Sequence, residues 1–448
     1  MGIAVIGGGI SGLCAAYRLK KAGADVTLFE GGDLVGGNIR TVKKEGYLLE
    51  LGPNSLLAST EILDLIEDLK ITDEILRPHP SSKKRFILRD GRLTALPGGP
   101  LDVLTTGAFS FGGRLRLLKE PFNKTRSVNG ESVADFFERR FGREIMEYAV
   151  DPFISGIYAG DPKKLSIKSA FPKLHRYERD AGSIIKGSLF SPKDKNARLP
   201  KSTPRSFTFK DGMATLTDAL HKSLASDIKL TTPVASIERE RAGHRVRTKN
   251  GDELFDSVVI STPALAASRL VSTLDDSLAT ELANIYYPPI AVVHTGFRAR
   301  EIKLNSGGFG FLVPAVENRK ILGCIFSSSL FAERAPEGHA LFTTFVGGSR
   351  NAELCSKPDD ELIKTAVDEL RDILRIDGDP AFTSITKWER SIPQYNIGYE
   401  KIPAALERFR ETHPGIFFCS NFYNGISVGD CVTNSVTIAN QVLEYFNQ

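Results

Sequence analysis

The chain opens MGIAVIGGGISGLCAAYRLKKAGADVTLFE, and this stretch constrains the fold more than any later one. Ile3 to Ile6 is an apolar run of the length of one buried parallel strand. Gly7, Gly9 and Gly12 follow as G-x-G-x-x-G, and helical periodicity runs from Ser11 to Lys21. A second strand is expected over Asp25 to Phe29, ending at Glu30, about twenty residues past the turn. In such a unit Gly7 permits the tight turn, Gly9 lets the backbone approach a pyrophosphate, and Gly12 lets helix and strand pack closely. The helix N-terminus offers N–H groups and the positive end of its dipole to phosphates. Glu30 can accept from ribose hydroxyls, and its charge repels a 2′-phosphate. A βα turn that binds nothing can use the same glycines. Here strand, turn, helix, second strand and terminal acid agree in register, which predicts a dinucleotide site.

Bulk properties narrow the rest. At 448 residues the chain is too long for one core, so two or three domains are expected. Apolar content of 41% and charged content of 25% fit a water-soluble protein, and a net charge of +4 does not argue for nucleic acid. Cys14, Cys324, Cys355, Cys419 and Cys431 are scattered and form no C-x-x-C, so they are expected as reduced thiols in a cytoplasmic chain. No basic segment precedes the first apolar run, so no secretory signal is expected, and no apolar run reaches the length of a membrane span.

The chain changes character twice. Residues 59–76 read as an amphipathic helix, and Arg85 to Pro97 as a hairpin turning at Asp90-Gly91. From about Pro97 to Pro204, helical segments mix Arg and Lys with Phe and Leu, and a basic stretch rich in Pro and Ser lies between Lys186 and Lys210. Such a region suits an anionic membrane surface, or equally a solvated helical domain with a basic loop. The α/β pattern returns near Ser206, with Asn250-Gly251 a hairpin signal. Residues 286–395 are strand-rich and aromatic, interrupted by one long helix. A strand, a glycine-containing loop and a terminal helix close the chain. The dinucleotide fold is therefore expected to be assembled from separated pieces.

Most catalytic machinery is missing. The histidines stand apart, with no pair at metal-ligand spacing. Gly425-Ile426-Ser427-Val428-Gly429 matches a nucleophile elbow, but no histidine follows it, as that chemistry requires. There is no lysine-containing phosphate loop. A reaction here must lean on a cofactor with redox power of its own, which points to a flavin.

With those residues in view, the chain resembles the flavin amine oxidase superfamily through GGGISGL with Glu30, the glycine doublet of LVGGNIRT, and the loop GISVGDC. Within it, GPNS (52–55), KKRF (83–86), SGIYAGDPKKLSIKSAFP (155–172), GFGFLVP (308–314) and WERSIPQYNIGY (388–399) are similar to the oxygen-dependent protoporphyrinogen oxidases. The resemblance covers nearly the whole chain. It implies an α/β fold with a Rossmann-like FAD-binding domain (1–80, 205–285 and 396–448), a mixed-sheet substrate-binding domain (81–97 and 286–395) and a helical membrane-binding domain (98–204). It implies non-covalent FAD and oxidation of protoporphyrinogen IX by molecular oxygen, with release of hydrogen peroxide. Coproporphyrinogen III oxidation, amine oxidation, carotene desaturation and a non-catalytic flavin module remain as alternatives, and a peripheral membrane location and a homodimer remain open.

The resemblance also implies residue roles. Gly7, Gly8, Gly9, Ser11 and Gly12 hold the pyrophosphate and Glu30 the ribose. Gly37, Asn38, Gly52, Pro53, Asn54 and Ser55 approach the flavin side, and the Val234 backbone meets the adenine. Trp388, Ile426, Ser427 and Val428 border the isoalloxazine. Leu34 and Asn38 stand where many members carry basic residues, which removes a charge contact. Arg85 matches the arginine that anchors a propionate, although a solvated arginine at a strand edge reads the same. Phe309, Leu312, Ile325 and Phe345 fit apolar walls or ordinary core. Gly156 leaves room for the ring and offers its carbonyl to pyrrole N–H groups, or simply ends a helix.

Overall fold

The computed structural model describes residues 1–99, 102, 106–190, 205–304 and 307–447. Residues 191–204, most of the basic stretch, lie outside the described residues, as do several positions near 100 in the region expected to be helical.

Five parallel strands form the first sheet, in the order Ile228–Lys229, Asp25–Phe29, Gly2–Ile6, Ser257–Ile260 and Ile416–Phe418. Alternation sends Ile3 and Val5 to one side, where the helices Ile10–Lys21, Ala214–Leu224 and Val428–Phe446 pack. Ala4 and Ile6 face the other side, against Ile237 and Val246 of a three-stranded sheet and the helices Ala264–Val271 and Lys401–Thr412. Cover on both faces is why these strands read as unbroken apolar runs.

Seven strands form the second sheet, in the order Phe382–Trp388, Ile290–Arg298, His339–Gly347, Ile321–Ile325, Gly310–Leu312, Arg85–Arg89 and Arg92–Ala95. Gly310–Leu312 runs parallel to Arg85–Arg89, and the other neighbours are antiparallel. Asp90 and Gly91 turn the hairpin at φ 51° and 70°, the left-handed pair that a two-residue turn demands. The helix Asp359–Leu374 covers one face of this sheet.

One expected element divides. Over 59–76 the helix is only Thr60–Asp68, capped by Ser59, whose Oγ accepts from Ile62 N–H at 3.3 Å. Lys70 then takes φ 58°, and Ile75–Leu76 pairs with Ser206–Phe209. The helical periodicity persists past the break because Ile71 and Ile75 pack on the same core as Ile62 and Leu65.

Between the two sheets in sequence lies a helical region. Phe111–Lys119, Val133–Phe141, Asp151–Tyr158, Pro172–Ala181 and Ile184–Phe190 are its longer helices. Val133, Phe136, Phe141 and Ile154 lie in its apolar centre. Beside that centre is a charged one. The Arg140 and Glu120 side chains are fully buried and paired. Glu120 also accepts from Ile184 N–H at 2.9 Å, and Arg139 reaches Glu131 at 2.7 Å and Glu178 at 2.8 Å. The network ties the segment before Val133–Phe141 to the start of Ile184–Phe190.

Removing one partner of such a pair strands the other charge without water. Arg140→Met is expected to cost about 3–5 kcal/mol in urea denaturation, and adding Glu120→Leu to recover part of it, the remainder reflecting the Ile184 and Ile185 N–H groups and the Asn123 and Thr125 carbonyls left without their partners. A double variant as unstable as the single one would show that the network acts through something other than charge.

Candidate active site

The glycine turn is built by close packing on one side and openness on the other. A Cβ on Gly12 would lie 2.0 Å from Gly7 O and 2.4 Å from Ser261 Oγ, whereas one on Gly9 would meet nothing within 4 Å. Gly9 thus faces free space, and it supplies no side-chain cap to the helix Ile10–Lys21. The first-turn N–H groups point where an anion is stabilised. Gly8 N–H donates to Glu30 Oε2 at 2.6 Å and Gly32 N–H to Oε1 at 2.7 Å. Each oxygen keeps a second lone pair for a ribose hydroxyl. Thr232 N–H donates to Glu30 O at 2.8 Å, two residues before half-buried Val234. These features fit the adenine dinucleotide half of a cofactor.

The glycine doublet closes over that turn. Gly36 N–H donates to Gly8 O at 2.8 Å, and a Cβ on Gly37 would sit 3.4 Å from Gly9 Cα. Arg40 is exposed and folds back, with Nε donating to Gly37 O at 3.1 Å. Asn38 and Gly52 touch so closely that a Cβ on Gly52 would lie 1.9 Å from Asn38 O. Asn54 Nδ2 donates to Gly52 O at 3.1 Å, and Pro53 and Ser55 are half-buried in the same loop.

Two side chains of the seven-stranded sheet hold the chain leading into that loop. Trp388 Nε1 donates to Leu51 O at 2.8 Å, and His294 Nε2 lies 3.1 Å from Glu50 O. Burial pushes His294 down to about 4, so the ring is neutral, with Nε2 as the donor and Nδ1 without a partner. The sequence carries no sign of this role for His294, because its partner is a backbone carbonyl. At the far end of the site Ser427 caps the helix Val428–Phe446. Its Oγ accepts from Asp430 N–H at 3.0 Å and donates to Asp430 Oδ2 at 2.7 Å, so it is a cap and not a nucleophile. Ile426, just before it, packs on the helical region. The loop into Ser427 is stapled by Tyr395, whose hydroxyl accepts from Gly425 N–H at 3.2 Å and whose ring stacks on Tyr399 at 4.2 Å. Both tyrosines lie in the segment PQYNIGY, where residue type alone gives no sign of this task.

Register decides which side chains share a face. One row across six of the seven strands reads Thr386, Val292, Phe345, Gly323, Leu312, Ile87. Two residues along, the next reads Ser384, His294, Thr343, Ile325, Gly310, Arg85. Trp388 lies on the same face, opposite Ile290. The other face, with Val293, Phe311, Cys324 and Val346, is sealed by Asp359–Leu374. Leu312, Ile325, Phe345 and Trp388 are only half-buried, and Arg85 is exposed, with its guanidinium 5.1 Å from the centre of the Phe309 ring. The structure thus brings these residues to one apolar face with a cation at its rim.

Gly156 does not end its helix, and the room expected beside it holds a side chain in this structure. It sits inside the helix Asp151–Tyr158, which ends at Ala159 in the left-handed conformation. A Cβ there would lie 2.3 Å from Leu312 Cδ2, so the space expected for a ligand is filled by a leucine methyl. The physical reason is close packing of this helix over the sheet.

Glu50 introduces a second buried titration. Burial pushes its carboxyl up to about 7, although Thr41 Oγ1–H at 2.7 Å, Met213 N–H at 2.8 Å and the Arg334 guanidinium favour the anion. Folded Glu50 keeps its proton after the unfolded chain has lost one, so its contribution falls as pH rises from about 4.5 to about 7. His294 stays neutral after the unfolded chain has gained a proton, so its contribution falls as pH drops from about 6.5 to about 4. Each is worth about 3 kcal/mol and they oppose one another. Glu50→Gln is expected to uncover the histidine slope, with urea midpoints rising more steeply than wild type from pH 4.5 to 6.5, and His294→Gln the reverse. Parallel curves for all three proteins would refute the assignment.

Residues 10–443 match the family described as flavin containing amine oxidoreductase. Protoporphyrinogen oxidase 2, chloroplastic/mitochondrial, of Arabidopsis thaliana is 34% identical, over 99% of this chain and 94% of its own. Coproporphyrinogen III oxidase of Bacillus subtilis (strain 168) is 29% identical, over 99% and 98%. A crystal structure from Exiguobacterium sp. 255-15, provisionally named protoporphyrinogen oxidase, superposes with a TM-score of 0.83 at 25% identity, over 100% and 99% of the two chains. The family assigns FAD as the cofactor. The chain belongs to the flavin containing amine oxidoreductase family.

Proposed function

We propose that this protein oxidises a porphyrinogen to the porphyrin, with protoporphyrinogen IX as the preferred substrate and molecular oxygen as final acceptor, releasing hydrogen peroxide. One observation carries the reading: a half-buried apolar sheet face, rimmed by Arg85 and joined through Trp388 to the loop Gly52–Ser55. A flat, oily macrocycle with acidic side arms needs that combination of walls and anchor. The identity to relatives named for protoporphyrinogen and coproporphyrinogen oxidation supports the substrate class.

FAD supplies two-electron redox chemistry that the side chains here lack. The protein's own share is orientation and exclusion of water. Leu312, Ile325 and Phe345 give the ring an apolar surface, and Arg85 can pair both oxygens of one propionate, steadied by the Phe309 face. The cradle of Gly7, Gly8, Gly9, Ser11, Gly12 and Glu30 holds the dinucleotide. Gly37, Asn38, Gly52 to Ser55, Val234, Trp388 and Ile426 to Val428 complete the cofactor envelope. The three-part division at 81–97 with 286–395, at 98–204, and in the remainder follows the same roles.

A peripheral membrane location belongs to the same proposal. Phe111, Phe122, Leu189 and Phe190 of the helical region are more than two-thirds exposed, at 76%, 79%, 72% and 80%. Arg116, Lys119 and Lys186 stand among them, with Lys186 Nζ 5.7 Å from the Phe122 ring centre. Among the described residues no helix is long and apolar enough to cross a membrane. Apolar tips with basic neighbours suit a surface of anionic lipid.

The experiment is anaerobic mixing of the purified yellow protein with protoporphyrinogen IX, followed by air. Bleaching of the flavin and then porphyrin fluorescence are expected. Release of ammonia from an amine instead would move the protein to another branch of its family. Equal concentrations of protoporphyrinogen and coproporphyrinogen rank the two substrates. Arg85→Ala should raise KM for the tetrapyrrole roughly tenfold or more with flavin content unchanged; an unaltered KM removes Arg85 from the anchor role. Phe122→Ser with Phe190→Ser should lower binding to anionic vesicles, and equal binding by the variant would dismiss this surface.

A further inference from the structure

The helix Asp151–Tyr158 lies over the apolar sheet face, and its grip on the sheet is unusual in its completeness. The segment after the strand His339–Gly347 holds it at the start, the middle and the end. At the start, Arg350 Nη2 donates to Asp151 Oδ2 at 2.8 Å, and Asp151 Oδ2 also accepts from Ala315 N–H at 2.7 Å. In the middle, Arg350 Nη2 reaches Ser155 Oγ at 2.7 Å. At the end, Ser349 N–H donates to Ala159 O at 2.7 Å. The other arm of the guanidinium, Nη1, donates to Val313 O at 2.8 Å, the residue after the strand Gly310–Leu312. One planar fork therefore ties the helix to the strand that carries Leu312.

The gap being held is the one that Gly156 makes narrow. Leu312 Cδ2 would stand 2.3 Å from a Cβ at Gly156, and Leu322 O 3.6 Å from it. Ala159, Ile290, Leu322, Phe345 and Trp388 pack together at the end of the same helix. The Arg350 and Asp151 side chains are only 15% and 12% exposed. They do not belong to the apolar face themselves, and the proposed chemistry gives them no task.

We propose that Arg350 is a specificity-determining positioning residue: by clasping Asp151, Ser155 and Val313 it sets the spacing between the helix Asp151–Tyr158 and the face bearing Leu312 and Phe345, and so decides which substituted tetrapyrrole rings fit. This rests on the porphyrinogen reading above. A ring with vinyl groups and one with propionates at the same positions differ in bulk and charge there, and a fixed gap discriminates between them where a loose one does not. A shift of about an ångström in such a gap is enough to change turnover of one substrate strongly.

The test uses the full-length, flavin-loaded protein and both porphyrinogens. Arg350→Lys keeps a cation for Asp151 but lacks the fork that also reaches Val313 and Ser155. Its kcat/KM ratio between protoporphyrinogen and coproporphyrinogen is expected to collapse by roughly tenfold, through KM rather than kcat, with flavin absorbance unchanged. Ser155→Ala, which leaves the Arg350–Asp151 pair in place, should move the ratio the same way by less. If Arg350→Lys loses its flavin or fails to fold, Ser155→Ala decides alone: a narrowed ratio supports the clasp, and an unchanged one overturns it. A folded Arg350→Lys with the wild-type ratio, or with kcat and KM degraded equally for both substrates, overturns it as well. A wild type that oxidises neither porphyrinogen sinks the functional reading and the inference together. A wild type that oxidises one, beside unaltered variants, sinks the inference only.

Discussion

Two successive carbonyls carry the union of the part built on the five-stranded sheet with the seven-stranded sheet. Glu50 O is held by His294 and Leu51 O by Trp388, from neighbouring strands of one sheet. Gly52 to Ser55, proposed to face the flavin, follow directly after Leu51, and Arg85, Leu312, Ile325 and Phe345, proposed to face the substrate, share the sheet face of His294 and Trp388. Asn38 adds a third tie, through Ser391 O, from the loop that covers the glycine turn. On the proposed reading, the distance between cofactor and substrate is a backbone property, set by these hydrogen bonds to carbonyls. Such bonds resist side-chain drift, and that suits a reaction in which alignment is the main contribution the protein can make.

Buried charge appears where a helix must be kept from sliding. Apolar contacts are non-directional, so they fix depth well and register poorly. Arg140 with Glu120, and Arg350 with Asp151, add direction at two such places. In both cases the carboxylate also accepts from backbone N–H groups of another segment, Ile184 and Ala315. That second acceptance offsets the desolvation that makes a bare buried pair a poor source of stability. Cost is visible at Asp151, where burial raises the carboxyl above its ordinary range in spite of the arginine beside it.

The nucleotide half was legible because its determinants are local. Gly7, Gly12 and Glu30 are each forced by neighbours within one βα unit or by a single contacting strand, and their spacing records it. The hairpins at Asp90-Gly91 and Asn250-Gly251 were legible for the same reason, since the turn dictates its own residues. The helix break at Lys70 was not, because burial of Ile71 and Ile75 preserved a helical pattern where the backbone had left the helix. Nor were the roles of His294, Glu50, Tyr395 and Arg350. Each has a partner far away in sequence that is a main-chain atom, which leaves no trace in residue type. Gly156 shows the limit from the other side. A glycine in a helix announces close approach, but the sequence does not say whether a ligand or Leu312 makes it.

That Gly156–Leu312 contact bears on how a large ring could enter. Leucine has alternative staggered rotamers, and Leu312 is half-buried, so its methyl can leave the gap at modest cost. The helix above cannot leave as easily, because three of its positions are held by Ser349 and Arg350. Opening the gap by moving the side chain is therefore cheaper than opening it by moving the helix. A site of this kind has a hard frame and a soft lining. On the proposed reading, the frame limits the size of what would be admitted, and the lining would close on it and exclude water from the face that Arg85 rims.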